Sequence, residues 1–111
     1  MIGEARMAAF LGKGVSLQAD ALPAADILQM ATLNGARALG RDDQIGSLEI
    51  GKQADMVAVD LNRLETQPVY DPVAQLIYAA SRDQARHPWG GGRCLMDNRT
   101  LTTLNEAVIL K

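Results

Sequence analysis

The chain has 111 residues, 48% of them apolar, a net charge of -2 and basic residues that are scattered rather than clustered. That length suits one domain or parts of two, burying roughly two-thirds of the unfolded surface, and the absence of a basic stripe argues against nucleic acid as a partner. No apolar run approaches the ~20 residues of a bilayer span and no signal pattern follows Met1; with Cys94 as the lone cysteine, the cytosol is the expected location.

Ile2, Ala5, Ala9 and Phe10 fall near one face at helical spacing, which predicts a helix over Ile2–Lys13 that Gly12 and Gly14 terminate. Only Met1 precedes it, with no Ser, Thr, Asp or Asn as a cap, a hint that an upstream start is missing. Pro23 suits a first helical position, and Ile27, Leu28, Ala31 and Thr32 continue a second helix that Asn34-Gly35 interrupts or bends and Gly40 stops. Arg41 to Gln44 reads as a polar linker, the expected boundary between a helical part (1–43) and a β-rich part (44–100).

Gly46 and Gly51 bracket a short segment between turns. Gln53–Asp60 is the clearest strand; Met56-Val57-Ala58-Val59 is apolar at both alternations, so cover on both faces is expected. Asp71-Pro72 reads as a cap plus first-turn proline opening a helix near 71–80. Arg86–Trp89 and Arg93–Met96 predict a hairpin across Gly90-Gly91-Gly92, with Pro88 confining its strand to an edge or a bulge. Thr103 to Glu106 has capping-box spacing for a C-terminal helix within 101–111.

Two strings stand out. Met30 to Gly40 reads MATLNGARALG, and Ile45 to Asp60 reads IGSLEIGKQADMVAVD. Together with Gln67 to Pro72 and Ser81 to Gln84, this ordered series resembles the C-terminal region of the amidohydrolase superfamily, in the branch holding methylthioadenosine/S-adenosylhomocysteine deaminases and triazine chlorohydrolases. The resemblance implies an α+β chain: the last helices of a (β/α)8 barrel, part of a small β-sandwich and a C-terminal helix. It implies a hydrolytic lineage that acts on a small heterocyclic substrate through zinc or another divalent metal. The lineage's ligands are a His-x-His pair, two further histidines and an Asp in a GTDG-type string, all before the region matched here. No catalytic, cofactor-binding or metal residue is therefore expected in this chain. Pro88 and Gly90 stand where the family usually has apolar β-branched residues, and Ile50 where it often has Pro or Val.

The residues support that expectation without the resemblance. A catalytic zinc site needs three protein ligands as a rule, and His87 and Cys94 are the sole histidine and cysteine. His87 reads as structural or superficial, since no nucleophile motif accompanies it. Cys94 reads as a small buried residue, and the glycine triplet as a hairpin turn rather than a phosphate loop, because strand and not helix follows it. Asp42, Asp43, Asp55 and Asp60 lack the spacing of a calcium loop. Gly51-Lys52 with Asp55 is the one tempting binding feature; a turn with Lys52 guarding a sheet edge explains it. Two roles compete: a segment of a larger hydrolase, inactive alone, or a stand-alone module that self-associates to cover its apolar faces.

Overall fold

A computed structural model of the chain describes residues 1–110. Helix α1 spans Ile2–Ser16, and α2 spans Ala24–Gln29, running through a π-type turn at Met30–Asn34 into α3, Gly35–Ala38. Strand β1 is Met56–Val59 and helix α4 is Pro72–Tyr78. Strands β2 (Ala85–Gly90), β3 (Arg93–Cys94), β4 (Met96–Asp97) and β5 (Thr100–Leu101) follow, and α5 is Glu106–Ile109. No helix among the described residues is long and apolar enough to cross a membrane.

The glycines expected to end the first helix lie inside it. A Cβ on Gly12 would stand 2.2 Å from Leu22 Cδ1, so this glycine admits the Leu22 side chain against the helix and stops nothing. The helix ends instead at Leu17, in the left-handed region at φ 55°. Lys13 then fastens the following loop, donating to the Ala19 and Ala21 carbonyls at 2.7 Å each. As the sequence predicts, α1 has no side-chain cap. Gly40 does stop its helix: at φ 64° its N–H donates to Arg37 O and the Arg41 N–H to Ala36 O, both at 2.9 Å. This is the Schellman pairing that satisfies the orphan carbonyls of a helix end.

Asp71 caps α4 as its sequence signature promises, its Oδ1 accepting from Val73 N at 2.9 Å and Ala74 N at 3.3 Å. Ile77 of this helix meets Ala9 of α1 and Ile27 of α2 to form the core. Arg6 of α1 closes the far end of α4, donating through Nε to Ile77 O at 2.9 Å and through its terminal nitrogen to Ala80 O. Thus α4, although set among the β elements in sequence, packs with the helices.

The sheet order is β1-β2-β3, with all pairs antiparallel, and β4 pairs with β5 separately. This corrects the edge alternative for Pro88, which lies in the central strand opposite Val57. Its carbonyl accepts from Leu95 N at 2.9 Å. In an antiparallel ladder a residue's N–H and C=O point the same way, so the proline's missing donor faces Leu95 and costs no bond to β1. The register shift sits one step away, between Ala58 and Val59. The turn itself is Gly91-Gly92, both at positive φ, with Gly90 already in strand.

Three further expectations are corrected. β1 is not covered on both faces: Val57 is 55% and Met56 40% exposed, because the described residues lay no second layer over this apolar run. The C-terminal helix shrinks to four residues; Thr100–Leu101 is strand, and Lys111 lies outside the described residues. Its cap is Asn105, which accepts from Ala107 N at 3.1 Å, and not Thr103, because the helix begins one residue after Asn105. The radius of gyration, 15.8 Å, exceeds the ~13 Å of a compact domain near this size, in keeping with so many open apolar faces.

Candidate functional site

The Gly46 to Asp60 run folds as a closed loop followed by β1. Gln53 N–H donates to Gln44 O at 2.8 Å and so closes the loop at its base. Gly46, at φ 93°, presses on the second helical run: a Cβ there would stand 2.7 Å from Ala36 Cβ and 3.0 Å from Leu33 Cα. Only glycine combines that backbone angle with that approach.

Inside the loop Lys52 Nζ donates to Ser47 Oγ at 2.6 Å, and Ser47 Oγ to Glu49 Oε1 at 2.5 Å. The Lys52 ammonium lies 3.5 Å from Glu49, with its side chain only 12% exposed. The Ser47 hydroxyl first, and the Lys52 charge second, hold the Glu49 carboxyl below the ordinary glutamate range. Lys52 therefore ties its own loop together and does not stand guard on a sheet edge. Asp55 Oδ1 accepts from Gly91 N at 2.6 Å, linking this segment to the hairpin turn. Every polar group that made Gly51-Lys52-Asp55 tempting as a binding feature is engaged within the chain.

The other candidates stay apart. His87 Nε2 lies 3.0 Å from Asp97 Oδ1, and its ring stacks on Trp89 with centroids 5.8 Å apart. Cys94 is half-buried rather than buried, with Sγ 3.1 Å from Met96 O. Asp42 pairs with Arg37 at 3.8 Å. Asp60 accepts from Asn62 N at 2.9 Å, from Arg86 at 3.3 Å and from Arg63 at 3.4 Å. The Asn62 N–H is the main reason its carboxyl titrates below the usual range, against a smaller opposing effect of burial. Among the described residues no three His, Cys, Asp or Glu side chains gather as a metal would require. One histidine committed to Asp97 does not fit a zinc centre, and no catalytic step is assigned to this chain.

What sequence reading missed is a buried polar hub. Gln84 is 3% and Thr66 0% exposed. Gln84 Nε2 donates to Asp60 O at 2.8 Å and to Thr66 Oγ1 at 3.3 Å, while its Oε1 accepts from Ser81 N at 2.8 Å. Thr66 Oγ1 donates to Leu61 O at 2.7 Å, and Gln75 Nε2 of α4 donates to Thr66 O at 2.8 Å. The hub thus joins the end of β1, the start of β2 and α4. The spacing Ser81-x-x-Gln84 is a capping-box pattern, realised here on the single turn Arg82–Gln84. The arrangement locks a scaffold and presents no reactive group.

Comparisons with known proteins identify the family. The profile of the amidohydrolase family matches residues 1–95. A 5-methylthioadenosine/S-adenosylhomocysteine deaminase from Teredinibacter turnerae is 46% identical over 98% of this chain and 25% of its own length, and one from Syntrophobacter fumaroxidans is 42% identical over 100% and 25%. Among solved structures, an adenosine deaminase from Xanthomonas campestris with bound zinc superposes with a TM-score of 0.96 at 50% identity, covering 99% of this chain and 25% of that one. An atrazine chlorohydrolase from Arthrobacter aurescens complexed with zinc gives 0.90 at 29% identity over 99% and 24%. The chain spans about a quarter of the length of the curated relatives it matches. On the match over residues 1–95 this chain belongs to the amidohydrolase family.

Proposed function

We propose that this chain serves as the C-terminal scaffold of a metal-dependent hydrolase that deaminates or dechlorinates a purine-like or triazine-like ring, and that it is inactive alone. In this reading α1 to α3 are the last helices of a (β/α)8 barrel, α4 packs onto them, and β1 to β5 form part of the attached sandwich. The observation that carries it is the superposition of nearly the whole chain on a zinc-bound deaminase, in a chain whose own histidine is committed to Asp97. The metal, zinc or another divalent ion, would be held by residues outside the matched quarter and would supply activation of a water for attack on the ring. This chain's residues would hold the supporting helices and strands in place. We place the protein in the cytosol, a reading supported by its single cysteine.

Metal analysis and an ammonia-release assay on adenosine-type substrates test the proposal. Neither stoichiometric zinc nor turnover is expected from the 111-residue chain, and either one would refute it. An in-frame GTDG-type string in the DNA just upstream would add direct support. Self-association is a second reading, favoured by the edge position of β1 and the exposure of Val57; light scattering showing a monomer would dismiss it.

A further inference from the structure

Strand β2 carries the sole histidine and the sole tryptophan of the chain two residues apart, so both side chains leave the same face of the sheet. The His87 ring stacks on Trp89 with centroids 5.8 Å apart and planes at 28°. Its Nε2 lies 3.0 Å from Asp97 Oδ1, on β4 of the separate two-stranded sheet. His87 therefore sits where the two sheets meet. Three further links cross this junction without a group that titrates near neutral pH. Leu95 N–H donates to Pro88 O at 2.9 Å, Arg86 Nη1 to Asn98 Oδ1 at 3.4 Å and Arg99 N–H to Arg86 O at 3.4 Å.

Across β1 the partner of His87 is the uncharged Ala58, and Arg93 of β3 pairs with Gly90 at the far end of β2. Arg86 turns its guanidinium to Asp60 and Asn98, and Arg99, in the turn between β4 and β5, sends its own to Arg82 O at 3.3 Å. Asp97 is the charged group in hydrogen-bonding contact with the ring. A histidine gains or loses its charge between about pH 5 and about pH 8. As a cation the ring gives Asp97 a charge-assisted bond and Trp89 a cation over its aromatic face. As a neutral ring it keeps at most an ordinary hydrogen bond and a stacking contact. We propose that His87 is a proton-operated clip: protonated, it fastens the β4–β5 hairpin to the three-stranded sheet, and on losing its proton it lets that hairpin open more often.

Amide hydrogen exchange of the 111-residue chain at about pH 5 and about pH 8 tests the clip, each rate being divided by that of the same amide in an unstructured peptide. The Leu95 and Thr102 amides, bonded to Pro88 O and Leu95 O, report the hairpin; the Asp60 amide, bonded to Gln84 O, reports the rest of the sheet. Asp97 is 72% exposed, so the effect is modest: Leu95 and Thr102 should lose roughly two- to fivefold in protection at the higher pH relative to Asp60, the scale of a surface ion pair acting on local opening. Asp97→Asn keeps an acceptor without the charge, and His87→Gln keeps a donor that does not titrate; each should abolish that difference. Trp89 emission should change over the same pH range and stay flat in His87→Gln. Protection that changes equally at Leu95 and Asp60 in the unsubstituted chain overturns the proposal, as does a difference that persists in either variant. Should a variant fail to fold, Trp89 emission of the unsubstituted chain still decides, since emission indifferent to pH also overturns it.

Discussion

Gln84 and Asp60 hold each other twice: the Gln84 side-chain amide donates to the Asp60 carbonyl at 2.8 Å, and the Asp60 N–H donates to the Gln84 carbonyl at 2.8 Å. One link is backbone and the other side chain, so a substitution removes half of the pair and leaves the rest as a control. Gln84→Leu strands the Asp60 carbonyl and the Ser81 N–H and removes a donor to the Thr66 hydroxyl, which keeps its own bond to Leu61 O. The expected loss is ~1–3 kcal/mol, the cost of buried groups left without partners, read from urea unfolding. Gln67→Leu removes an exposed bond to Leu61 O and should cost no more than ~1 kcal/mol. Equal losses would mean that the hub is not the lock described.

Gly46 and Gly51 share an unusual backbone angle, at φ 93° and 97°, but differ in surroundings. A Cβ on Gly46 meets Ala36 and Leu33, whereas one on Gly51 meets nothing within 4 Å. Alanine at either position carries the backbone strain, of order 1 kcal/mol. Gly46→Ala should lose about 1–3 kcal/mol beyond that, the usual cost of forcing extra atoms into a packed contact. Matching thermal shifts for the two variants would remove the close approach from the account.

Arg6 binds the end of α4 from α1. Arg6→Met keeps much of the apolar stem and removes the charged donors, leaving the Ile77 and Ala80 carbonyls without them. The expected cost is ~1.5–3 kcal/mol, the range for bonds to a charged group, with faster amide exchange in the last turn of α4. Arg6→Lys should recover part of it, since a single ammonium cannot reproduce the guanidinium fork. Full stability in Arg6→Met would count against the clamp.

Asp60 sets an acid dependence. Its folded pKa lies below the ordinary value, so its contribution is complete above the unfolded pKa and fades as pH falls through the folded one. The urea midpoint should therefore drop on the acid side of the usual aspartate range. Asp60→Asn should flatten that limb while lowering the plateau at neutral pH. An unchanged acid limb in the variant would show that other carboxylates carry it.

The local grammar of helix ends was legible where one residue decides the geometry: Asp71-Pro72 announces a cap and Gly40 a stop. It failed where a residue's meaning depends on a distant neighbour. Gly12 reads as a breaker until Leu22 is placed against it, and Pro88 reads as an edge residue until its carbonyl is seen to face Leu95. Gln84 and Thr66 gave little signal, because a glutamine is ordinarily a surface residue and only the fold brings Asp60, Ser81 and Thr66 around it. Lys52 misled for the converse reason: its ammonium finds Ser47 and Glu49 in its own loop. The family was legible because the strings at Met30 and Ile45 are long and ordered. The uncovered faces of β1 and α1 were not, since an apolar pattern states a need for cover without saying what meets it.

Zinc content of the purified 111-residue chain after zinc loading and dialysis tests the central claim most directly. A scaffold whose single histidine is engaged with Asp97 should retain far less than one zinc per molecule. Retention of one equivalent, lost on His87→Ala, would place a metal centre in this chain and contradict the account.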